Sequence, residues 1–349
     1  MKEHDIPTTG EWLCGEGPEN DIVISSRIRL ARNIAGFSFL HGASVEERKR
    51  INDLLREKIH KAGIADDPIY YDLESANAIE RAYLVERHLI SRELAEAQGP
   101  RSVAVARDES LSMMINEEDH LRLQFLRGGL RLEEVYEQAD QFDDVLSGAV
   151  RYAFSPKYGH LTACPTNTGT GLRASVMLHL PGVVMAQEMD RVIKIARGSK
   201  LAIRGVYGEG THGAGDFYQV SNHVTLGLAE DEIINGVTEA ATRLVALERT
   251  ARLNLYNQHR KEFEKRIRHA FGLLCVASTI SSQEALNLLS QVRMGVEMNL
   301  LAGTRIEALN DLFLLTLPAH LQTIRGEVLD SSVTDEVRAS YVKSVLTSG

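Results

Sequence analysis

Four stretches of this 349-residue chain combine residue types and spacings that can do chemistry. In Ser25-Ser26-Arg27-Ile28-Arg29-Leu30-Ala31-Arg32, Arg27 and Arg29 are two apart and share one face of any strand they form. Two guanidinium groups side by side repel unless an anion lies between them, and their planar donors match phosphate oxygens in pairs. Asn116-Glu117-Glu118-Asp119-His120 packs three carboxylates into one turn. Like charges this close cost free energy unless they are solvated, meet a cation or share a proton. The turn is therefore either an exposed acidic one or a site for Mg²⁺ or a cationic group.

Cys164-Pro165-Thr166-Asn167-Thr168-Gly169-Thr170-Gly171-Leu172-Arg173 is the third stretch. Gly169 and Gly171 let backbone approach a ligand, Asn167 and Thr170 add polar groups, and Arg173 can clamp an anion. Cys164, beside an arginine and a polar turn, is either partly thiolate or an inert buried thiol. The order Gly-x-x-x-x-Gly-Lys-Ser/Thr is absent, so this is not a P-loop. Lastly, Arg204 ends a strand-like run and precedes glycines at 205, 208, 210, 213 and 215, with Glu209 among them. Such a loop is either a hairpin or a mobile lid. Together these residues suit phosphoryl transfer, where catalysis is mainly positioning and charge stabilisation.

The elements that must hold them are legible in part. Ser44-Val45-Glu46-Glu47 predicts a helix start, followed by Ile51, Leu54, Leu55 and Ile59 at helical spacing, with Gly63 as the stop. A second helix is expected over Ala76 to Ala97. Alternation from Leu111 to Ile115 and from Leu121 to Phe125 predicts two strands joined by the acidic turn. An amphipathic helix follows from Leu132 to Leu146. Beyond these come a helix over Met185 to Ala196 with Gly198 as its cap, a strand over Leu201 to Arg204 and another over Phe217 to Leu226. From Asp231 onward, helical periodicity dominates. Ser281-Ser282-Gln283-Glu284 opens a helix to about Leu301, and the last helix covers Asp335 to Leu346. The expectation is an α+β catalytic domain over residues 1–245 and an all-helical C-terminal domain over 246–349.

Composition narrows the class. Lys plus Arg is 39, Asp plus Glu is 48, and the net charge is −9. Nucleic-acid binding requires a basic footprint, which this balance argues against. The 44% apolar and 25% charged shares are those of a folded globular chain. No signal peptide or membrane span is read, and three widely spaced cysteines fit a reduced cytoplasmic setting.

The motifs S-S-R-I-R, N-E-E-D-H-L-R and C-P-T-N-x-G-T-G-L-R, in this order between Asp21 and Leu228, resemble those of the guanidino (phosphagen) kinase superfamily. The chain looks most like its bacterial protein arginine kinase branch: S-S-R-I-R starts at Ser25 with no long helical domain before it, and the extra helices follow the catalytic part. The resemblance implies an antiparallel sheet flanked by helices and transfer of the ATP γ-phosphate to arginine side chains in proteins. It implies that Ser25, Arg27, Arg29, His88, Arg122, Arg173, Arg204, Asn167, Gly169, Thr170 and Gly171 hold the nucleotide. Glu118 would be the catalytic carboxylate, Glu117 and Asp119 would support Mg²⁺ and substrate, Glu209 would be a lid glutamate and Cys164 a reactive active-site cysteine. Mg²⁺ would be held mainly through ATP and water.

Implied partners are an activating zinc-binding adaptor, a heat-shock repressor substrate and the Clp protease, in protein quality control. The C-terminal apolar stripes suit a homodimer. Two departures stand out. Creatine-type relatives carry Arg where this chain has Thr225, and a regulatory R-D-x-x-R-A phosphoarginine motif reads here as Thr334-Asp335-Glu336-Val337-Arg338-Ala339. Two alternatives stay open: a kinase for free arginine or another small guanidino compound, and a non-catalytic phosphoarginine-binding adaptor.

Overall fold

The computed structural model describes residues 10–63, 68–206 and 213–347, so Glu209 lies outside the described residues. The first part of the chain gives β1 (Val23–Arg32), α1 (Val45–Ala62), β2 (Ile69–Asp72), α2 (Ala78–Glu86), α3 (Arg92–Glu96), β3 (Ser102–Val105), β4 (Leu111–Ile115), β5 (Leu121–Gly128) and α4 (Leu132–Ala149). Next come β6 (Phe154–Ser155), β7 (Gly159–His160), β8 (Leu172–His179), α5 (Pro181–Met185), α6 (Met189–Gly198), β9 (Leu201–Gly205) and β10 (Phe217–Asn222). The remainder is helical: α7 (Glu230–Val276), α8 (Ser282–Glu297), α9 (Ile306–Leu315), α10 (Pro318–Arg325) and α11 (Ser331–Thr347).

Eight strands form one antiparallel sheet in the order β2-β3-β4-β5-β1-β8-β10-β9. The strand at its centre, β1, is ten residues long. Alternation gives the sheet two different faces. Ile28, Leu30, Leu123, Ala174, Val176 and Val220 point to one side and pack under α1, α4 and the first half of α7. On the opposite side, Val103, Val105 and Met114 are covered by α2 and α3. At the other end of that same side, Ile24, Leu126, Met177 and Phe217 are covered by α8, α9, α11 and the end of α7. Phe217 and Phe313 meet there edge to face at 4.6 Å. The C-terminal helices thus share a core with the sheet.

Helix α7 is 47 residues long and runs through position 245. His259 is its one residue with non-helical angles (φ −133°, ψ 37°). The Ser44 cap and Gly63 stop of α1 are as expected: Ser44 Oγ accepts from Glu47 N–H, and Gly63 is left-handed at φ +61°. Other boundaries differ. The expected single helix over 76–97 is two, because the chain turns at Arg87–Ser91 with His88 at φ +58° and Ser91 caps a new helix. The helix over 185–196 is likewise divided into α5 and α6, with Gln187 left-handed. Strand β10 stops at Asn222, α8 at Glu297, and α11 starts at Ser331.

A directional relay buries polar groups between sheet and C-terminal helices. Arg293 donates to His179 Nδ1 (3.0 Å), so Nε2 carries the ring proton and donates to Ser290 Oγ (2.9 Å). Ser290 then donates to Asp216 Oδ2 (2.6 Å). Burial pushes the Asp216 carboxyl up to about 6, so its contribution to stability is full below the ordinary carboxylate range and is lost as pH rises through about 6. We expect Asp216→Asn to gain on wild type, by on the order of 2 kcal/mol, as pH rises from about 4.5 to about 7.5. Urea unfolding at the two pH values checks this; a pH-independent difference would remove the effect.

Candidate active site

Strand pairing assembles the site. Arg29 of β1 lies opposite Arg173 of β8, Ala31 opposite Arg122 of β5, and Arg27 opposite Ser175. Arg204 of β9 lies opposite Gln219 of β10. Because paired residues share a face, Arg27, Arg29, Arg122, Arg173 and Arg204 all project to the side that carries α2–α3 and the C-terminal helices, where a cleft remains between them. Their cleft is about 490 Å³ and is bordered by Arg29, Arg122, Arg173, Arg204, Glu117, Glu118, Ser91, Glu93, Cys164, Asn167 and Gly171. A second cavity of about 510 Å³ adjoins it through Arg29 and has Arg27, His88 and Gln124 on one wall and Ser282, Gln283, Leu286, Leu317 and Pro318 on the other. Each is of a size that takes a small ligand.

The arginine face is short of anions. Arg27 donates to the neutral Ser175 Oγ (3.1 Å) and Gln219 Oε1 (2.6 Å). Arg29 Nε is buried with no hydrogen-bond partner. Loss of water, then the charges of Arg122 and Arg173, pushes Arg27 down to about 10. Burial, then Arg27, Arg122 and Arg173, holds Arg29 well below its usual value, with Glu117 opposing. Arg173 is lowered chiefly by burial, then by Arg122 and Arg204. Clustered guanidinium groups with unmet donors are a binding site for a polyanion such as a polyphosphate.

At one edge of this face stands the carboxylate turn. Arg122 Nη1 donates to Glu117 Oε1 (2.5 Å) and Nη2 to Glu118 Oε2 (3.0 Å). Glu117 also accepts from Ser91 Oγ (2.6 Å) and from the Glu118 amide (3.1 Å). Its side chain is 2% exposed, against 44% for Glu118. Glu117 is thus a buried anchor, whereas Glu118 reaches the cleft and can receive a cation.

Several expected site residues sit elsewhere. Asp119 is fully buried; its Oδ1 accepts from Asn33 Nδ2 (2.6 Å) and the Ala163 amide (2.7 Å), so it fastens the Cys164 loop behind the wall rather than lining the cleft. Gly169 is packed against the chain: at φ +115°, a Cβ there would lie 2.9 Å from Leu226 Cα. Thr170 Oγ1 accepts from the Leu172 amide and its carbonyl accepts from Arg32, which Asp143 neutralises. Thr225, where arginine was noted in creatine-type relatives, donates to the Thr166 and Thr168 carbonyls and so supports the same loop. Ser25 borders a narrow slot with Trp12, His88, Met177 and Gln219.

His88 lies in the α2–α3 turn and not on a helix; burial, then Arg27 and Arg92, pushes it down to about 3, so it is neutral. Asp335 and Arg338 pair with each other, and Arg338 also donates to the Thr316 and Ile280 carbonyls, which ties helix ends together within the C-terminal part. Sequence reasoning missed Ser91, Gln219 and Ser175. Ser91 was legible as a cap before Arg92-Glu93-Leu94.

Among the described residues, no group of three His, Cys, Asp or Glu side chains could hold a metal ion, and no helix is long and apolar enough to cross a membrane.

Comparison with known proteins agrees with this geometry. The ATP:guanido phosphotransferase C-terminal catalytic domain matches residues 50–251, and the protein-arginine kinase McsB C-terminal domain matches residues 260–349. A protein-arginine kinase of Desulforamulus reducens is 41% identical over 100% of this chain and 98% of its own length. One from Moorella thermoacetica is 42% identical over 98% of this chain and 99% of its own. Among solved structures, lombricine kinase aligns with a TM-score of 0.58 at 24% identity, covering 71% of this chain and 72% of that one. The duplicated taurocyamine kinase of Schistosoma mansoni aligns at 0.60 and 24%, over 76% and 39%. These two show the fold. The chain belongs to the ATP:guanido phosphotransferase family, in its protein-arginine kinase branch.

Proposed function

We propose that this enzyme transfers the γ-phosphate of ATP to arginine side chains of proteins. The observation that carries the reading is the half-exposed Glu118 at the edge of a five-arginine face. The arginines suit the triphosphate, and Glu118 suits the cationic acceptor. A guanidinium is a poor nucleophile because its lone pair is delocalised and its charge persists above about pH 12. Glu118 orients one terminal nitrogen and takes its proton as the N–P bond forms and the bond to the β-phosphate oxygen breaks. Glu117, held by Ser91 and Arg122, keeps the turn in place. Arg29, Arg173 and Arg204 spread the charge of the transferring group. Alignment of nitrogen and phosphorus accounts for roughly 7–11 kcal/mol of barrier lowering.

Mg²⁺ fits as an ion carried by the nucleotide phosphates and water, since Glu117 and Glu118 already meet Arg122 and Asp119 is committed to Asn33 and Ala163. When bound, it neutralises phosphate charge. The reading extends to a cytoplasmic role in protein quality control with an adaptor, a repressor and a Clp protease, on the family resemblance alone. The test is incubation with ATP and either an unfolded protein or free arginine, followed by mass spectrometry under non-acidic handling. Phosphoarginine on the protein is expected; phosphate on free arginine alone would overturn the reading.

A further inference from the structure

The turn Arg87–Ser91 is held from two sides. Upstream of it, Glu86 grips the C-terminal part of the chain: Oε1 accepts from the Ala319 amide (2.9 Å), and Oε2 accepts from the His320 amide (3.0 Å) and ring Nδ1 (2.7 Å). Both groups are shielded, with side-chain exposures of 17% for Glu86 and 1% for His320. The His320 ring also lies 4.3 Å from the Tyr83 ring of α2. At its downstream end, Ser91 donates to Glu117 (2.6 Å), and Glu117 and Glu118 share Arg122. Between the two ends, the His88 carbonyl accepts from Gln124 of β5 (2.7 Å), and Arg87 is buried against Glu109. The backbone of residues 86–91, anchored at one end on the first turn of α10 and at the other on Glu117, therefore joins the C-terminal helices to the carboxylate turn that faces the cleft.

The local backbone makes this path stiff. His88 is held at φ +58°, which a non-glycine residue keeps only when its surroundings fix it. Two of the amides at the start of α10 have no partner within their own helix and point at the Glu86 carboxylate, a charge-assisted pairing that resists sliding. Displacing α10 would release Glu86, let the turn relax and free Ser91 from Glu117.

We propose that Glu86 and His320 are positioning residues through which the C-terminal helices set the geometry of the Glu117–Glu118 turn, so that movement of α10 tunes the transfer step. This rests on reading the cleft as the site of transfer. The test pairs Glu86→Gln and His320→Phe, the latter keeping an aromatic ring against Tyr83. Each should lower kcat about tenfold while shifting the KM for ATP less than about twofold. Ser91→Ala combined with Glu86→Gln should be no worse than the more damaging single variant, because both act along one path. Hydrogen exchange on the full chain gives a readout that needs no activity. Amides of residues 116–122 should exchange several-fold faster in Glu86→Gln, while those of α4 stay unchanged. Unaltered exchange in the turn, or equal acceleration in α4, would overturn the proposal. An inactive wild type would defeat the functional reading alone and leave the exchange result to decide the coupling.

Discussion

Glu118→Gln is expected to lower phosphoarginine formation by about 10²–10⁴-fold, the range for loss of a positioned general base. Glutamine keeps the shape of the side chain and can still accept from Arg122, now at 3.0 Å from Oε2. It cannot take a proton from the attacking nitrogen or offset the positive charge of the acceptor. The arginine face is untouched, so nucleotide affinity should change little. Half exposure of the side chain means that folding is also little affected. Rate per mole of enzyme and equilibrium nucleotide binding, measured side by side, separate these effects. Retention of more than about a tenth of the rate would remove Glu118 from the proton-transfer role.

Arg29→Met should act in opposite directions on stability and binding. Arg29 sits among Arg27, Arg122 and Arg173 with a buried, unpartnered Nε, and water loss and like charge both disfavour its cation. An apolar side chain of similar length removes that penalty, so the ligand-free protein should melt at a higher temperature. The same change deletes a floor donor shared by both cavities. ATP affinity should then fall by about 10²-fold or more, as when a desolvated charged contact is truncated. Melting curves with and without nucleotide test both halves. A variant that is less stable without ligand, or that keeps wild-type nucleotide affinity, would contradict this account.

What the sequence disclosed was local. Ser44 and Gly63 declared α1 because capping needs only neighbouring atoms. The alternation around Leu111–Ile115 and Leu121–Phe125 declared β4 and β5, and it put Glu117 and Glu118 in the connecting turn. Arg27 and Arg29 could be assigned to one strand face by counting. The pairing of Arg29 with Arg173, and the placing of Arg122 opposite Ala31 on the same face, could not, since they depend on strand order and register. The break at Arg87–Ser91 was masked by the good helix-forming composition of Ala76 to Ala97, with only the Ser91 cap to signal it; long-range contacts of Glu86, Arg87 and the His88 carbonyl override that composition. Asp119 and Glu118 look alike in sequence, yet one is sealed by Asn33 and the other meets solvent. The close packing of Gly169 was hidden for a related reason: its neighbour is Leu226, far along the chain.

Helix α7 has a consequence for how the chain folds. Its first half, from Ile233 to Ala251, belongs to the core beneath the sheet, whereas Ala270 and Leu274 belong to the core on the other side. Starting a helix is costly, and extending one is cheap. Once the first half has docked on the sheet, the remainder continues from its end past the single break at His259. The later helices then find Ala270 and Leu274 displayed beyond that kink. One long element, kinked once at His259, thus carries residues of both cores, and the catalytic sheet serves as template for the helices that complete its cleft.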